Sequence, residues 1–67
     1  MMEMSIRQAR RAQEITQKEM AETLQVHVQT YRRIEEYPET ATIAQARKIA
    51  EKLGMSYNDL IFTRNST

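Results

Sequence analysis

The 67-residue sequence has no cysteine and no tryptophan, and it holds one glycine, one proline and one histidine. Without cysteine there is neither a disulfide framework nor a thiolate metal site, and a lone His27 cannot assemble a metal centre. A glycine-rich phosphate loop is missing as well, so no constellation for nucleophilic or metal-assisted chemistry remains, and neither enzyme activity, a metal nor a cofactor is expected. The adjacent Glu35 and Glu36 fall on different faces of a helix instead of facing one another across a cleft. No apolar run approaches the roughly 20 residues of a membrane span, and Met1 to Ser5 lacks a signal-peptide core. A soluble, cytoplasmic protein with no membrane partner is expected. A net charge of +1 exerts little pull on a polyanion, although residues 1–33 carry six Lys/Arg against four Glu and residues 34–67 carry four against five acids. Taken alone, that imbalance describes a solvated surface of mixed sign.

What the sequence does have is an ordinary globular balance, 40% apolar and 28% charged. A chain this short buries only about 60% of the surface that its unfolded form exposes, so its stability margin is thin. One domain spanning 1–67 is expected, ordered over about 5–62 with loose ends at 1–4 and 63–67.

The strongest local signal is a repeated helix start. A Ser or Thr oxygen accepts from the backbone N–H three residues on, and that residue's side chain returns the bond. Ser5 with Gln8, Thr16 with Glu19 and Thr42 with Gln45 fit, and Ser56 with Asp59 is a shorter-armed version. Each is followed by helical apolar spacing: Ile6, Ala9 and Ala12 or Gln13; Met20, Ala21 and Leu24; Ile43, Ala46, Ile49, Ala50 and Leu53; then Leu60 and Ile61. The fourth stripe ends at Gly54, where a left-handed residue is easiest for glycine. Met20 and Met55 are expected in the core and Met1, Met2 and Met4 in a leader. The stretch "EEYPETAT" around Pro38 breaks the period and reads as a loop. No alternation of β-branched residues supports a strand, so the expected class is all-α, with five short helices.

Between Thr16 and Glu36 two of these helices are separated by only Gln25 to His27, with small Ala21 on the inner face. That spacing suits a helix-turn-helix, in which two helices cross closely at a wide angle. A helical hairpin in any small bundle has the same spacing, so the pattern alone leaves both open. The segments "ITQKEMAETLQV", "TYRRIEE" and "TIAQARKIAEKLGMSYNDLIF" resemble the Cro/C1-type (XRE-like) helix-turn-helix family of bacterial and phage transcriptional regulators. The resemblance covers about Ser5 to Phe62 and rests on Thr16-Gln17, Ala21, Leu24, Val26, Glu35 and the Ile-Ala-x-x-Leu-Gly run. It implies a compact five-helix, lambda-repressor-like DNA-binding domain. Its third helix would lie in the major groove, and the usual assembly is a homodimer on a two-fold-related double-stranded DNA operator. A phage or prophage repressor acting at the bacterial nucleoid is the corresponding expectation, with no small-molecule effector domain.

The third helix, in "LQVHVQTYRRIEE", starts at His27 where the other helices have a Ser or Thr cap. Two readings stand side by side. A bare helix start carries unpaired N–H groups and partial positive charge, so DNA can partly replace the cap. Alternatively, His27 caps the helix poorly through its ring or through water, and nothing more. On the outer side Val28, Gln29, Arg32 and Arg33 are the candidates for base reading, with Tyr31 and Ile34 turned to the core. Gln pairs with adenine, Arg with guanine, and Val28 can meet a thymine methyl. For Arg32 a plain i,i+4 contact with Glu36 is the competing explanation.

The resemblance further implies a backbone contact from Gln17 and an ion pair between Arg10 and Glu35, with Arg10 also able to approach a phosphate. His27 and Tyr37 complete the candidate backbone contacts. Two departures from the family pattern stand out: Gln25 replaces a turn glycine, and Glu36, Tyr37 and Glu39 occupy a loop that is often Gly-containing and basic. The acidic loop leaves a rival reading open, in which the fold serves as a protein–protein module, such as an antitoxin-like or antirepressor-target domain. Tyr57, Ile61 and Phe62 are candidates for the dimer contact, and Phe62 packing on the first helix is the alternative.

Overall fold

The helix starts follow directly from the sequence pairs. In the computed structural model, which describes residues 5–56, Ser5 Oγ accepts from Gln8 N at 3.1 Å and Gln8 Oε1 accepts from Ser5 N at 3.0 Å. Thr16 and Glu19 exchange the same bonds at 3.0 and 2.8 Å, and Thr42 and Gln45 at 3.0 and 2.9 Å. These boxes open α1 (Ile6–Ala12), α2 (Gln17–Leu24) and α4 (Ile43–Leu53), while α3 (Val28–Glu36) starts without one. A single 3₁₀ turn, Pro38–Thr40, joins α3 to α4, with Pro at the position where its missing N–H costs nothing. The described residues are thus all-α, with no strand. The expected fifth helix, with Asp59, Leu60 and the interface candidates Tyr57, Ile61 and Phe62, lies outside the described residues.

The helix ends carry a feature that only one glycine could have announced. After α1, α2 and α4 the chain passes through a left-handed residue, respectively Glu14 (φ 59°), Gln25 (φ 59°) and Gly54 (φ 67°). In each case the next N–H reaches back five residues: Ile15 to Arg10 O at 3.1 Å, Val26 to Ala21 O at 3.0 Å and Met55 to Ala50 O at 3.0 Å. This is the Schellman arrangement, which satisfies helix carbonyls that would otherwise be orphaned. At Glu14 and Gln25 a Cβ occupies a conformation in which it crowds the backbone, at a cost of about 1–2 kcal/mol each.

The apolar stripes converge on one core. Ile6 and Ala9 of α1, Met20, Ala21 and Leu24 of α2, and Tyr31 and Ile34 of α3 pack with Ala46, Ile49, Ala50 and Leu53 of α4. Burying a side chain such as Ile49 contributes about 1.5–3 kcal/mol. Ala21 at the α2–α3 corner is small enough to let the two helices approach, and Val26 after the turn packs on the core edge. Two sequence expectations need correction. Ile43 is 69% exposed, because as the first residue of α4 it stands a turn before Ala46, where the helix enters the interface. Ala12 and Gln13 are exposed too, since α1 ends there, and the buried face of α1 is completed by Arg10 instead. The Gln13 amide still has a role: its Nε2 donates to Leu53 O at 2.5 Å and tethers the end of α1 to the end of α4.

Candidate nucleic-acid interface

The two faces of α3 differ in kind. Inward, Tyr31 and Ile34 are fully buried, and Glu35 joins them with no exposed side-chain surface. Outward, Gln29, Thr30, Arg32, Arg33 and Glu36 are exposed, while Val28 is half-buried against the core edge. Because 29 and 33 are one turn apart, Gln29 and Arg33 form a single outward ridge, with Arg32 beside it on the side of α2. Thr30 shares this outer surface. Sequence reasoning passed over it, although its three-residue spacing from Arg33 marks it as a neighbour and its hydroxyl can meet either a donor or an acceptor.

The start of α3 has no side-chain cap. His27 takes the N-cap position with extended backbone (φ −63°, ψ 148°), its side chain makes no capping hydrogen bond, and the first turn contains no acidic residue. The N-terminal N–H groups therefore face outward with their partial positive charge uncompensated by a side chain. α2 is built the opposite way, with Thr16 and Glu19 closing its first turn. His27 and Val28 border an open depression at the corner, whose other walls include Lys18, Glu22 and Gln25. Exposed Lys18 is a cation at this edge that the sequence pattern did not single out.

Behind the outer face lies a polar network centred on Glu35. Arg10 Nε donates to Glu35 Oε2 at 2.5 Å and Arg10 Nη2 to Oε1 at 3.4 Å, so α1 and α3 are tied by an almost fully buried ion pair. Arg10 Nη1 donates to Ile15 O at 2.8 Å, which occupies the guanidinium on the interior side. Arg7 Nε approaches Glu35 Oε1 at 3.4 Å from a half-exposed position. Gln17 Nε2 donates to the same oxygen at 3.2 Å, and Gln17 Oε1 accepts from Arg32 Nε at 3.2 Å. Arg32 thus meets Gln17 across the α2–α3 corner, and among the described residues no ion pair links it to Glu36.

Burial pulls the Glu35 carboxyl upward, but the hydrogen bonds that it accepts, led by that from Arg10, outweigh burial and hold it below the ordinary carboxylate value. Hydrogen bonding to Glu35 raises Arg10 in turn. Among the described residues the buried Tyr31 hydroxyl, beside this pair, has no partner in hydrogen-bonding geometry, and desolvation pushes its pKa far up, so it stays a neutral phenol. Tyr37, 44% exposed, closes α3 by donating its N–H to Arg33 O at 2.7 Å and starts the 3₁₀ turn that carries Glu39.

Among the described residues no group of three His, Cys, Asp or Glu is placed to hold a metal ion, and no helix is long and apolar enough to cross a membrane. Two helices meeting at a close corner beside small Ala21, the second presenting a polar outer ridge and an uncapped start, have the form of a helix-turn-helix. The helix-turn-helix family profile matches residues 6–60, most of the chain, and the protein belongs to this Cro/C1-type (XRE-like) family of DNA-binding regulators. No curated protein and no solved structure matches the chain.

Proposed function

We propose that the protein is a sequence-specific transcriptional regulator of Cro/C1 type, phage- or prophage-derived, which represses by reading an operator with α3 in the major groove. The observation that carries this reading is the uncapped start of α3 below an outward ridge of Gln29 and Arg33. Gln29 offers a bidentate match to adenine and Arg33 to guanine, and Val28, at the corner, can lie against a thymine methyl. His27 and the first N–H groups of α3, with Tyr37 at the other end, are assigned to the sugar–phosphate backbone. Arg10 is assigned to support, because Glu35 and Ile15 O already engage its guanidinium.

The working unit in this reading is a homodimer on a two-fold operator, each chain forming one domain, in the bacterial cytoplasm at the nucleoid. One recognition helix spans only a few base pairs, so two half-sites are needed for useful affinity. A second reading has a specific observation in its favour. Glu36 and Glu39 stand exposed at the end of α3 and in the following turn, where phosphate would be repelled and a basic protein partner attracted.

Selection of bound duplexes from a random pool separates the two. The regulator reading expects enrichment of a motif with two-fold symmetry at about one helical turn between half-site centres. A pool that stays random after selection favours the protein-binding module instead.

A further inference from the structure

Among the described residues Gln17, the first residue of α2, is the one outer-surface side chain that bonds both the core network and the exposed side of α3. Its amide orientation is fixed by its neighbours. Glu35 can only accept, so it needs the Gln17 NH2 group; Arg32 can only donate, so it needs the Gln17 carbonyl oxygen. The flipped amide would set oxygen against carboxylate and NH2 against guanidinium, losing both bonds. Glu35 itself is immobilised by Arg10 and by burial, so the chain Arg10, Glu35, Gln17, Arg32 runs from an anchored interior end to an exposed cationic end.

This arrangement has a directional consequence. Arg32 uses Nε to meet Gln17, and among the described residues no acceptor meets its two terminal amino groups. Those groups are held at the beginning of α2, off the ridge of Gln29 and Arg33. In a helix-turn-helix the first helix of the pair crosses the phosphate backbone while the second enters the groove. In such a complex a guanidinium tethered to the start of the first helix would stand over phosphate, one residue away in sequence from a neighbour on the groove side.

Resting on the DNA-binding reading above, we propose that Gln17 is a positioning residue that holds Arg32 against the DNA backbone, so that Arg32 contributes affinity without base preference. Gln17 acts through Arg32 instead of donating its own amide to a phosphate, because Glu35 already takes that amide. The sequence alone suggests the reverse division, with Arg32 among the base readers and Gln17 on the backbone.

A double-mutant cycle read on two axes, affinity across single-base variants of a bound duplex and its dependence on salt, tests this. Arg32→Ala is expected to weaken every duplex alike, by roughly tenfold, and to lower the slope of log affinity against log salt by about 1. Gln17→Met, which keeps the stem and drops the amide, is expected to weaken every duplex alike. The pair together should lose little more than Arg32→Ala alone, since one acts through the other. Circular dichroism at the assay temperature verifies that each variant is folded, and Arg32→Lys, which keeps the charge without the Nε donor, should preserve most of the salt slope. Additive losses, or a loss confined to one base position for Arg32→Ala, would overturn the proposal. With Gln29→Ala still altering base preference, such a result would leave the DNA-binding reading standing; a wild type that bound no duplex would remove both.

Discussion

Arg10 and Glu35, 25 residues apart in sequence, meet at 2.5 Å beneath the outer surface of α3, and this contact ties α3 to α1. A carboxylate near a helix C-terminus is disfavoured by the helix dipole, so Glu35 depends on the guanidinium as much as the guanidinium depends on it. Arg10→Ala is therefore expected to cost about 3–5 kcal/mol, because it leaves a buried charge without its main partner. For so small a domain that is a large part of the total stability. Urea unfolding should show the loss, and a double replacement by Arg10→Met and Glu35→Leu should be less damaging than Arg10→Ala. A loss below about 1 kcal/mol would mean that the pair behaves like a surface contact.

The same pair gives stability a definite pH dependence. Glu35 lies below its ordinary value of 4.5 when folded, so it binds a proton less readily in the folded than in the unfolded chain. Its contribution is complete above pH 4.5 and is lost as pH falls from there through the lower folded value. Exposed Glu19, also lowered chiefly by its backbone hydrogen bond with Thr16, acts in the same direction. Thermal melts of Glu35→Gln should start lower at neutral pH than wild type and fall less steeply on acidification below pH 4.5. Parallel pH profiles would place the acid sensitivity elsewhere.

Glu14 and Gln25 hold left-handed conformations that glycine adopts without strain. Glycine also gives the unfolded chain more freedom, which offsets part of the gain. Gln25→Gly and Glu14→Gly are each expected to stabilise the protein by about 0.5–1 kcal/mol in chemical denaturation. A destabilising effect at either position would show that the existing side chain makes contacts worth more than the strain.

How far the structure could be read from sequence depends on where each signal originates. The capping boxes are contained within four residues, and so Ser5, Thr16 and Thr42 announce their helices. The ion pair of Arg10 with Glu35 and the helix-turn-helix became legible through resemblance to a family, because a contact across 25 residues leaves no local periodic trace. The tether of Arg32 to Gln17 escaped for a similar reason: i,i+4 spacing suggested Glu36, while the partner actually met lies 15 residues away on another helix. The left-handed Glu14 was hidden because the usual marker, glycine, is missing there, and Ile43 misled because periodicity does not say where a helix enters its interface.

Ile43 and Ile49 provide an internal comparison on one helix. Ile49 is fully buried and Ile43 is 69% exposed. Ile49→Ala is expected to cost about 2–5 kcal/mol by opening a cavity, whereas Ile43→Gln should change stability by less than about 0.5 kcal/mol. Equilibrium unfolding of the two variants checks this, and a large loss at Ile43 would show that the position is covered in solution.

The central claim is that the outer ridge of α3 reads base edges. Its most direct test is the binding of wild type and Gln29→Ala to every single-base variant of a selected duplex, at low ionic strength. The expected result is that Gln29→Ala flattens preference at one half-site position, by about 1–3 kcal/mol, and leaves the other positions unchanged. An equal loss on all variants, or a wild type that does not discriminate among them, would contradict the account.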